Sequence, residues 1–124
     1  MIHLDTNYLI GLVTIPSSVA MEIRRWTRSG EEFSASAIAW SEFLNGPVTM
    51  QETRDVSSIL AGRVVSFGEY EARVASDLFN RTGRKRQKQI DCFIAATAIC
   101  ARVPLATRNT KDFQPFVPLG LRLA

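Results

Sequence analysis

The sequence predicts an α/β protein in which a mostly parallel central sheet lies between two layers of helices. Two observations predict this class: short apolar runs alternate with segments of helical periodicity, and the connections between them are short. Strands that alternate with helices form crossover units, which produce parallel sheets covered on both faces. A chain of 124 residues buries one core, so residues 1–124 are expected to form a single domain.

In the first half of the chain the pattern predicts the order strand, helix, helix, strand, helix. The corresponding ranges are 1–4, 6–13, 17–30, 32–36 and 37–46. Ser17 or Ser18 caps the second helix, and Gly30 suits the position after its last turn. Ser36 caps the third helix in the same way, and the Gly46-Pro47 pair ends it.

In the second half the pattern predicts helix, strand, helix, helix and two short strands. The ranges are 50–61, 64–67, 69–82, 87–101, 104–107 and 116–119. In the helix over 69–82, Tyr70, Val74 and Leu78 are expected to share one apolar stripe. The helix over 87–101 has the clearest helical pattern of the chain.

The composition excludes several classes of protein. Hydrophobic residues make up 46% and charged residues 22%, which is typical of a globular domain and too apolar for disorder. No apolar run approaches the roughly 18 residues of a membrane helix, and no signal-type segment follows Met1, so a cytoplasmic protein without a membrane partner is expected. Cys92 and Cys100 fit neither a C-x-x-C pair nor a zinc-ligand spacing, so both are expected to be reduced core residues.

The net charge of +3 is unevenly distributed along the chain. The segment RTGRKRQK contains five basic residues within eight positions, namely Arg81, Arg84, Lys85, Arg86 and Lys88. Such a run either contacts a polyanion such as RNA or forms a solvated loop before a helix, and charge alone does not decide between them. No aromatic residues are interleaved with these charges, so base stacking is not predicted.

Three acidic residues stand in apolar surroundings close to predicted strand ends. Asp5 ends the first strand, Glu42 follows the second strand by one or two helical turns, and Asp91 opens the apolar helix. Each also has an ordinary interpretation: a strand meeting a loop, a solvated helix glutamate, or an acid that complements a helix dipole by about 0.3–1 kcal/mol. Because ligand sites in parallel sheets lie beyond the carboxyl ends of the strands, the three carboxylates are expected to converge.

Converging carboxylates repel one another unless a cation neutralises them, so this arrangement predicts a metal site. Oxygen ligands without His or Cys favour Mg²⁺ or Mn²⁺ over zinc. Ions of this kind polarise phosphate groups and activate water, which predicts phosphodiester hydrolysis. His3 alternates with Ile2 and Leu4 and is expected to be a hydrogen-bonded strand residue rather than a catalytic base. Glu22, Glu52 and Asp55 have the setting of exposed helix acids.

Four segments of the chain resemble a known family in their order and spacing: LDTNYLI, SEFLNG, IDCFIAATA and LATRNTKDF. The sequence resembles the PIN-domain ribonucleases, in particular the VapC-like toxins of bacterial toxin–antitoxin pairs. The similarity spans nearly the whole chain. It implies an α/β/α sandwich, an endoribonuclease dependent on Mg²⁺ or Mn²⁺, an RNA substrate such as tRNA, a homodimer, and a partner antitoxin within a larger complex.

The resemblance also assigns site residues. The family's three main acids match Asp5, Glu42 and Asp91, and its supporting positions match Thr6, Asn7 and Thr107. Where the family often has a fourth acid, this chain has Asn109, so either Asn109 or the nearby Asp112 completes the site. One tightly held metal ion, with a second brought by the substrate, is the resulting hypothesis.

Three questions stay open from the residues alone. Arg108, next to the predicted site, neutralises either a scissile phosphate or an antitoxin carboxylate. A catalytically silent module that binds an antitoxin and nucleic acid is an alternative function. A receiver-like phosphoacceptor domain is a further alternative, but it needs an Asp ending a central strand and a lysine ending a later one, and neither VVSFGE nor Thr107-Arg108 supplies them.

Overall fold

The central sheet contains four parallel strands in the spatial order β3-β2-β1-β4. The computed structural model describes residues 1–14 and 17–124. The strands are β1 (Ile2–Leu4), β2 (Phe33–Ser36), β3 (Val64–Val65) and β4 (Leu105–Ala106). The α/β class and the parallel sheet predicted from the sequence are therefore confirmed, although β3 ends two residues earlier than expected.

Helices connect the strands and cover both faces of the sheet. They are α1 (Thr6–Val13), α2 (Ser18–Arg28), α3 (Ala37–Leu44), α4 (Met50–Leu60), α5 (Glu69–Arg81), α6 (Gln89–Ala101) and α7 (Thr110–Phe113). The chain crosses the sheet from β1 to β3 and then returns to β4 at the opposite edge. Because crossover connections are right-handed, α1 to α4 cover one face and α5 and α6 the other, which gives the expected α/β/α sandwich.

The strands are apolar because the sheet is covered on both faces. Leu4, Ala35 and Leu105 are completely buried, as expected for a parallel sheet between helical layers. The polar exceptions are His3, Ser34 and Ser36, and Nδ1 of His3 lies 2.8 Å from Oγ of its register partner Ser34. Burial lowers the pKa of His3 to about 4, so the ring is neutral at pH 7. The prediction of a hydrogen-bonded strand histidine is confirmed.

Side-chain caps fix the turns that follow β1 and β2. Asp5 accepts a hydrogen bond from the N–H of Thr6 at 2.8 Å, so α1 begins directly after β1. Ser36 accepts one from the N–H of Ala39 at 2.9 Å, which starts α3 where the sequence predicts it. These caps satisfy N–H groups that a helix leaves unpaired at its start. The two helices are thereby held at the carboxyl edge of the sheet.

The predicted strand over residues 116–119 is wrong. These residues belong to a 3₁₀ helix, Gln114–Leu119. Pro115 and Pro118 lack the N–H group that a strand donates to its neighbour, so this segment cannot form a regular ladder. Pairing with β4 occurs further along the chain, where the N–H of Leu105 donates to the carbonyl of Arg122 at 2.8 Å.

The predicted apolar stripe of α5 is wrong at one position. Tyr70 lies in the first turn and is 66% exposed, so the buried side chains of this helix are Ala75 and Leu78, with Val74 half-buried. Cys92 is buried and Cys100 half-buried, and both are free thiols, as predicted. Within residues 1–14 and 17–124, none of the helices has the length and apolar character that a membrane span needs.

The packing of α1 on α2 depends on the missing side chain of Gly11. A Cβ atom at this position would lie 2.7 Å from Cγ2 and 2.8 Å from Cβ of Val19. Gly11→Ala is expected to lower the free energy of unfolding by about 1–2 kcal/mol, because overpacking outweighs a gain in helix propensity of up to about 1 kcal/mol. Urea unfolding followed by circular dichroism measures the change.

Val19→Ala in the same background removes Cγ2, the nearest of the clashing atoms, although Cβ remains. The double variant should therefore lose less stability than the sum of the two single variants. Strictly additive losses would contradict the contact.

Candidate functional site

Six of the predicted site residues line one cavity at the carboxyl edge of the sheet. They are Asp5, Thr6, Asn7, Glu42, Asp91 and Asn109, which together with Ile10 border a space of about 240 Å³. Asp5 follows β1, Glu42 lies in the second turn of α3 after β2, and Asp91 lies in the first turn of α6. The three acids come from distant parts of the sequence and meet because parallel strands and their following helices share one edge.

Asp5 is the most strongly held of the three acids. Its side chain is almost fully buried, with 4% of the residue exposed. It accepts hydrogen bonds from the N–H of Thr6 at 2.8 Å, the hydroxyl of Thr107 at 2.7 Å and the amide of Asn7 at 3.3 Å. Burial raises the pKa of Asp5, the bonds from Thr107 and Thr6 lower it, and the charge of Glu42 raises it. A carboxylate has about four acceptor positions, so room for a cation remains.

Asp91 is partly desolvated and lies in the field of the other acids. Its side chain is 26% exposed. Burial raises the pKa of Asp91 to about 6, the charges of Asp5, Asp112 and Glu42 raise it, and Lys88, with Nζ at 4.0 Å, lowers it. This carboxylate is ionised at neutral pH against an electrostatic penalty, which a bound cation would relieve.

Glu42 is the most exposed of the three acids, and its Oε1 accepts a hydrogen bond from the hydroxyl of Thr6 at 2.6 Å. Among the residues that the structure describes, no three Asp, Glu, His or Cys side chains stand close enough to form a ready-made metal site. Mg²⁺ typically keeps several waters and uses only one or two carboxylates. One buried, one half-buried and one exposed acid around an open cavity fit a hydrated hard ion better than the closed ligand set of structural zinc.

Thr107 does not line the cavity but holds two residues that do, Asp5 and Asn109. It is buried, donates its hydroxyl to Asp5, and accepts the N–H of Asn109 at 3.0 Å. Asn109 itself lines the cavity, whereas Asp112 does not and instead contacts the ammonium group of Lys88. Of the two residues that the sequence left open as the fourth site residue, the structure places Asn109 beside the acids.

The side chain of Arg108 makes several contacts within the protein. Its Nη2 lies 2.9 Å from Oγ of Ser18 and 3.3 Å from a carboxylate oxygen of Glu22, and its guanidinium carbon lies 5.3 Å from the centre of the Tyr8 ring. Its backbone N–H donates to Oδ1 of Asn7 at 3.1 Å. Glu22, predicted to be an exposed helix acid, is only 23% exposed and forms the ion pair. The Glu22 prediction failed because its partner lies 86 positions further along the chain.

The basic segment does not form one surface. Arg81 pairs with Asp77 at 3.5 Å, and Arg84 bonds Asn80 and lies against Phe79. Two arginines line a cavity with Phe79 and Gln89, namely Arg84 and Arg86. Two lysines line a different cavity together with Lys111, namely Lys85 and Lys88. Lys111 was not predicted from the sequence. The signal that could have identified it is the rarity of lysine in a chain rich in arginine.

The fold and the carboxylate cavity define an α/β protein with an acidic site at the carboxyl end of a parallel sheet. A family model described as "PIN domain" matches residues 2–115, so the chain belongs to the PIN domain family. The family predicted from the four sequence segments is thereby confirmed. A comparison with curated protein sequences gives no significant match.

Several solved structures have the same fold as this chain. FitAcB from Neisseria gonorrhoeae is similar with a TM-score of 0.75 at 23% identity, over 99% of this chain and 96% of that one. A toxin–antitoxin complex from Klebsiella pneumoniae has a TM-score of 0.72 at 26% identity, over 91% and 90%. VapBC2 from Rickettsia felis, bound to a DNA fragment from its promoter, has a TM-score of 0.70 at 21% identity, over 100% and 98%.

The raised pKa of Asp91 predicts how stability depends on pH in metal-free protein. The carboxyl binds its proton more tightly in the folded state, so its stabilising contribution is complete below pH 3.8 and is lost as the pH rises to about 6. Asp91→Asn removes that loss. At pH 7.5, in the presence of EDTA, it should raise the free energy of unfolding by about 1–2 kcal/mol.

Urea unfolding between pH 4 and 8 measures this difference. The matched control is Asp55→Asn, which changes an exposed acid on α4 and should leave stability nearly unaltered at every pH. A loss of stability in Asp91→Asn at pH 7.5 would show that the ionised carboxylate is favourable where it lies.

Proposed function

We propose that this chain is a metal-dependent endoribonuclease that hydrolyses RNA phosphodiester bonds and acts as the toxin of a toxin–antitoxin pair. The observation that carries the proposal is the meeting of Asp5, Glu42 and Asp91 around one cavity. Burial and mutual repulsion raise the pKa of Asp5 and of Asp91, so a divalent cation would be bound where it neutralises an existing penalty. Membership of the PIN domain family supports the same chemistry.

Asp5, Asp91 and Glu42 are the residues that would hold Mg²⁺ or Mn²⁺. These ions prefer oxygen ligands, and the cavity offers carboxylates together with the amide of Asn109. When bound, such an ion supplies charge stabilisation to the phosphate and lowers the pKa of water. A neutral Asn109 in place of a fourth acid favours one tightly held ion, with a second arriving with the substrate.

The chain's own residues hold the acids in position before substrate arrives. Thr107 and the N–H of Thr6 orient Asp5, and the Thr6 hydroxyl orients Glu42. Asn7 joins Asp5 to the backbone of Arg108, which ties the loop after β4 to α1. Groups fixed in this way need no reorganisation during the reaction. Such preorganisation is the main source of electrostatic stabilisation of a transition state. His3 does not line the cavity, so the proposal assigns it no proton transfer.

RNA, an antitoxin and a second copy of the chain are the proposed partners. The basic residues before α6, Arg84, Lys85, Arg86 and Lys88, are assigned to the RNA backbone, and Arg108, which pairs with Glu22, is assigned to the support of the site. An antitoxin partner and a homodimer within a larger complex are proposed from the family resemblance, and a cytoplasmic location is proposed from the sequence pattern. The toxin–antitoxin complex from Klebsiella pneumoniae, 26% identical to this chain, supports an antitoxin partner. tRNA is the proposed substrate class.

A catalytically silent module that binds an antitoxin and nucleic acid is the second candidate. One observation favours it: within the described residues the three acids do not form a ready-made ligand set. The nuclease candidate cleaves RNA and needs metal and the acids to do so, whereas the silent module cleaves no RNA.

Asp5→Asn and Asp91→Asn are expected to lower RNA cleavage by about 100-fold or more, because each removes a negative charge that holds the cation. Purified protein is incubated with total RNA in Mg²⁺ or in EDTA, and the ends of the fragments are sequenced. Asp55→Asn should cleave like the wild type. Asp91→Asn is the sharper variant because it is expected to be more stable, so its inactivity cannot come from unfolding.

Cleavage that persists in EDTA, or in both variants, would reject the metal-dependent mechanism that is assigned to these acids. The toxin role is tested separately by inducing the chain in a bacterial host. Wild-type protein should arrest growth and Asp91→Asn should not, whereas equal growth with both would reject the toxin role.

A further inference from the structure

All lysines of the chain line a single cavity. The sequence contains twelve arginines and three lysines, which are Lys85, Lys88 and Lys111. The three border a cavity of about 240 Å³ that is completed by Thr82, Asp112, Pro115 and Phe116. Lys85 and Lys88 precede α6, whereas Lys111 belongs to α7, so folding brings them together. We call this space the lysine cavity.

The lysine cavity carries an excess of positive charge. Its lining contains three lysines and one acid, Asp112, which is already paired with Lys88. Within residues 1–14 and 17–124, no carboxylate lies within ion-pair distance of Lys85 or Lys111, and both lysines are exposed. Neighbouring like charges repel, so an anion entering this space is stabilised by both.

The lysine cavity adjoins the carboxylate cavity through Lys88. The ammonium group of this residue contacts Asp112 on one side and lies 4.0 Å from Oδ2 of Asp91 on the other. Asp91 lines the carboxylate cavity and Asp112 the lysine cavity. A polyanion with one phosphate at the carboxylate cavity therefore has a path along Lys88 to the lysine cavity.

We propose that the lysine cavity is a phosphate-binding subsite for the RNA backbone, next to the phosphate that is cleaved. The proposal rests on the function proposed above and adds a site to it. Lysine presents a compact charge with three donors, which suits a phosphate approached from several directions. Contacts of this kind hold the strand in register without reading bases. The subsite therefore contributes to affinity and position, not to sequence preference.

The salt dependence of RNA binding tests the subsite. The background is Asp5→Asn, which separates binding from cleavage, and the probe is a labelled single-stranded RNA measured by fluorescence anisotropy in EDTA. In Lys85→Gln/Lys111→Gln, the slope of log affinity against log salt should fall by about 0.7 for the lost phosphate contact. The weakening should be similar for RNAs of different sequence.

The matched control removes two positive charges elsewhere. Arg24→Gln/Arg54→Gln changes exposed side chains on α2 and α4 that do not line the lysine cavity. Its slope should stay within error of the parent. An equal fall in both variants, or no fall in the lysine variant, would overturn the subsite.

Chemical labelling provides a second, independent readout on the unmutated chain. Reductive methylation with ¹³C-formaldehyde labels the three lysines and the amino terminus, which pairs with Glu31 away from this cavity. Single-stranded RNA should shift the lysine signals in NMR spectra and leave that of the amino terminus in place. Shifts produced by an acidic peptide and not by RNA would overturn the proposal in favour of a protein partner.

The two proposals fail in different ways. If the wild-type chain cleaves no RNA, the nuclease proposal is rejected. If it cleaves RNA and the lysine variant retains both the wild-type KM and the wild-type salt slope, only the subsite is rejected.

Discussion

The desolvation of two carboxylates at one cavity, those of Asp5 and Asp91, is the constraint on which the rest of the site depends. Burial is the main cause of the raised pKa of each, and the charge of Asp5 is the second cause for Asp91. Donors to Asp5 oppose this penalty, since a hydrogen bond to a charged group contributes about 1.5–3 kcal/mol. Lys88 opposes it at Asp91. The site is thus held in an electrostatically unfavourable arrangement that a divalent cation would relieve.

The residues that oppose this penalty are themselves held by the fold. Asn7 donates to Asp5 and accepts from the backbone of Arg108, whose side chain pairs with Glu22 on α2. The position of α2 depends in turn on its close approach to α1 at Gly11. A chain of short contacts therefore runs from the packing of two helices to the orientation of one carboxylate. Sites supported in this way lose precision when distant packing changes.

Much of the fold could be predicted because its signals are local. Capping by Ser36 and the alternation of strands and helices depend on neighbouring residues, and Asp5 is recognisable because it ends a buried strand. The failed predictions concern features that local patterns do not contain. The apolar run at 116–119 has strand composition, but its two prolines prevent pairing, and Tyr70 keeps helical spacing at a helix start that is exposed.

Long-range pairings explain what the sequence could not predict about the site. Glu22 has the sequence context of a solvated acid, and only the fold brings Arg108 to it. The basic segment appears continuous in sequence, yet the chain turn at Gly83 and Arg84, both with positive φ, directs neighbouring side chains to separate cavities. Lys111 joins Lys85 and Lys88 from a different element, which no charge run along the chain reveals.

The division of charge between two adjoining cavities has a consequence for how a polyanion would approach. The carboxylate cavity repels phosphate until a cation is bound, whereas the lysine cavity attracts it in either state. At physiological ionic strength charges are screened over about 8 Å, so only groups as close as Lys88 and Asp91 influence one another strongly. An RNA strand would therefore be attracted first at the lysine cavity. In the proposed nuclease its neighbouring phosphate would then be accepted at the carboxylate cavity only when the cation is present, so the lysines would govern binding of the strand and the acids its cleavage.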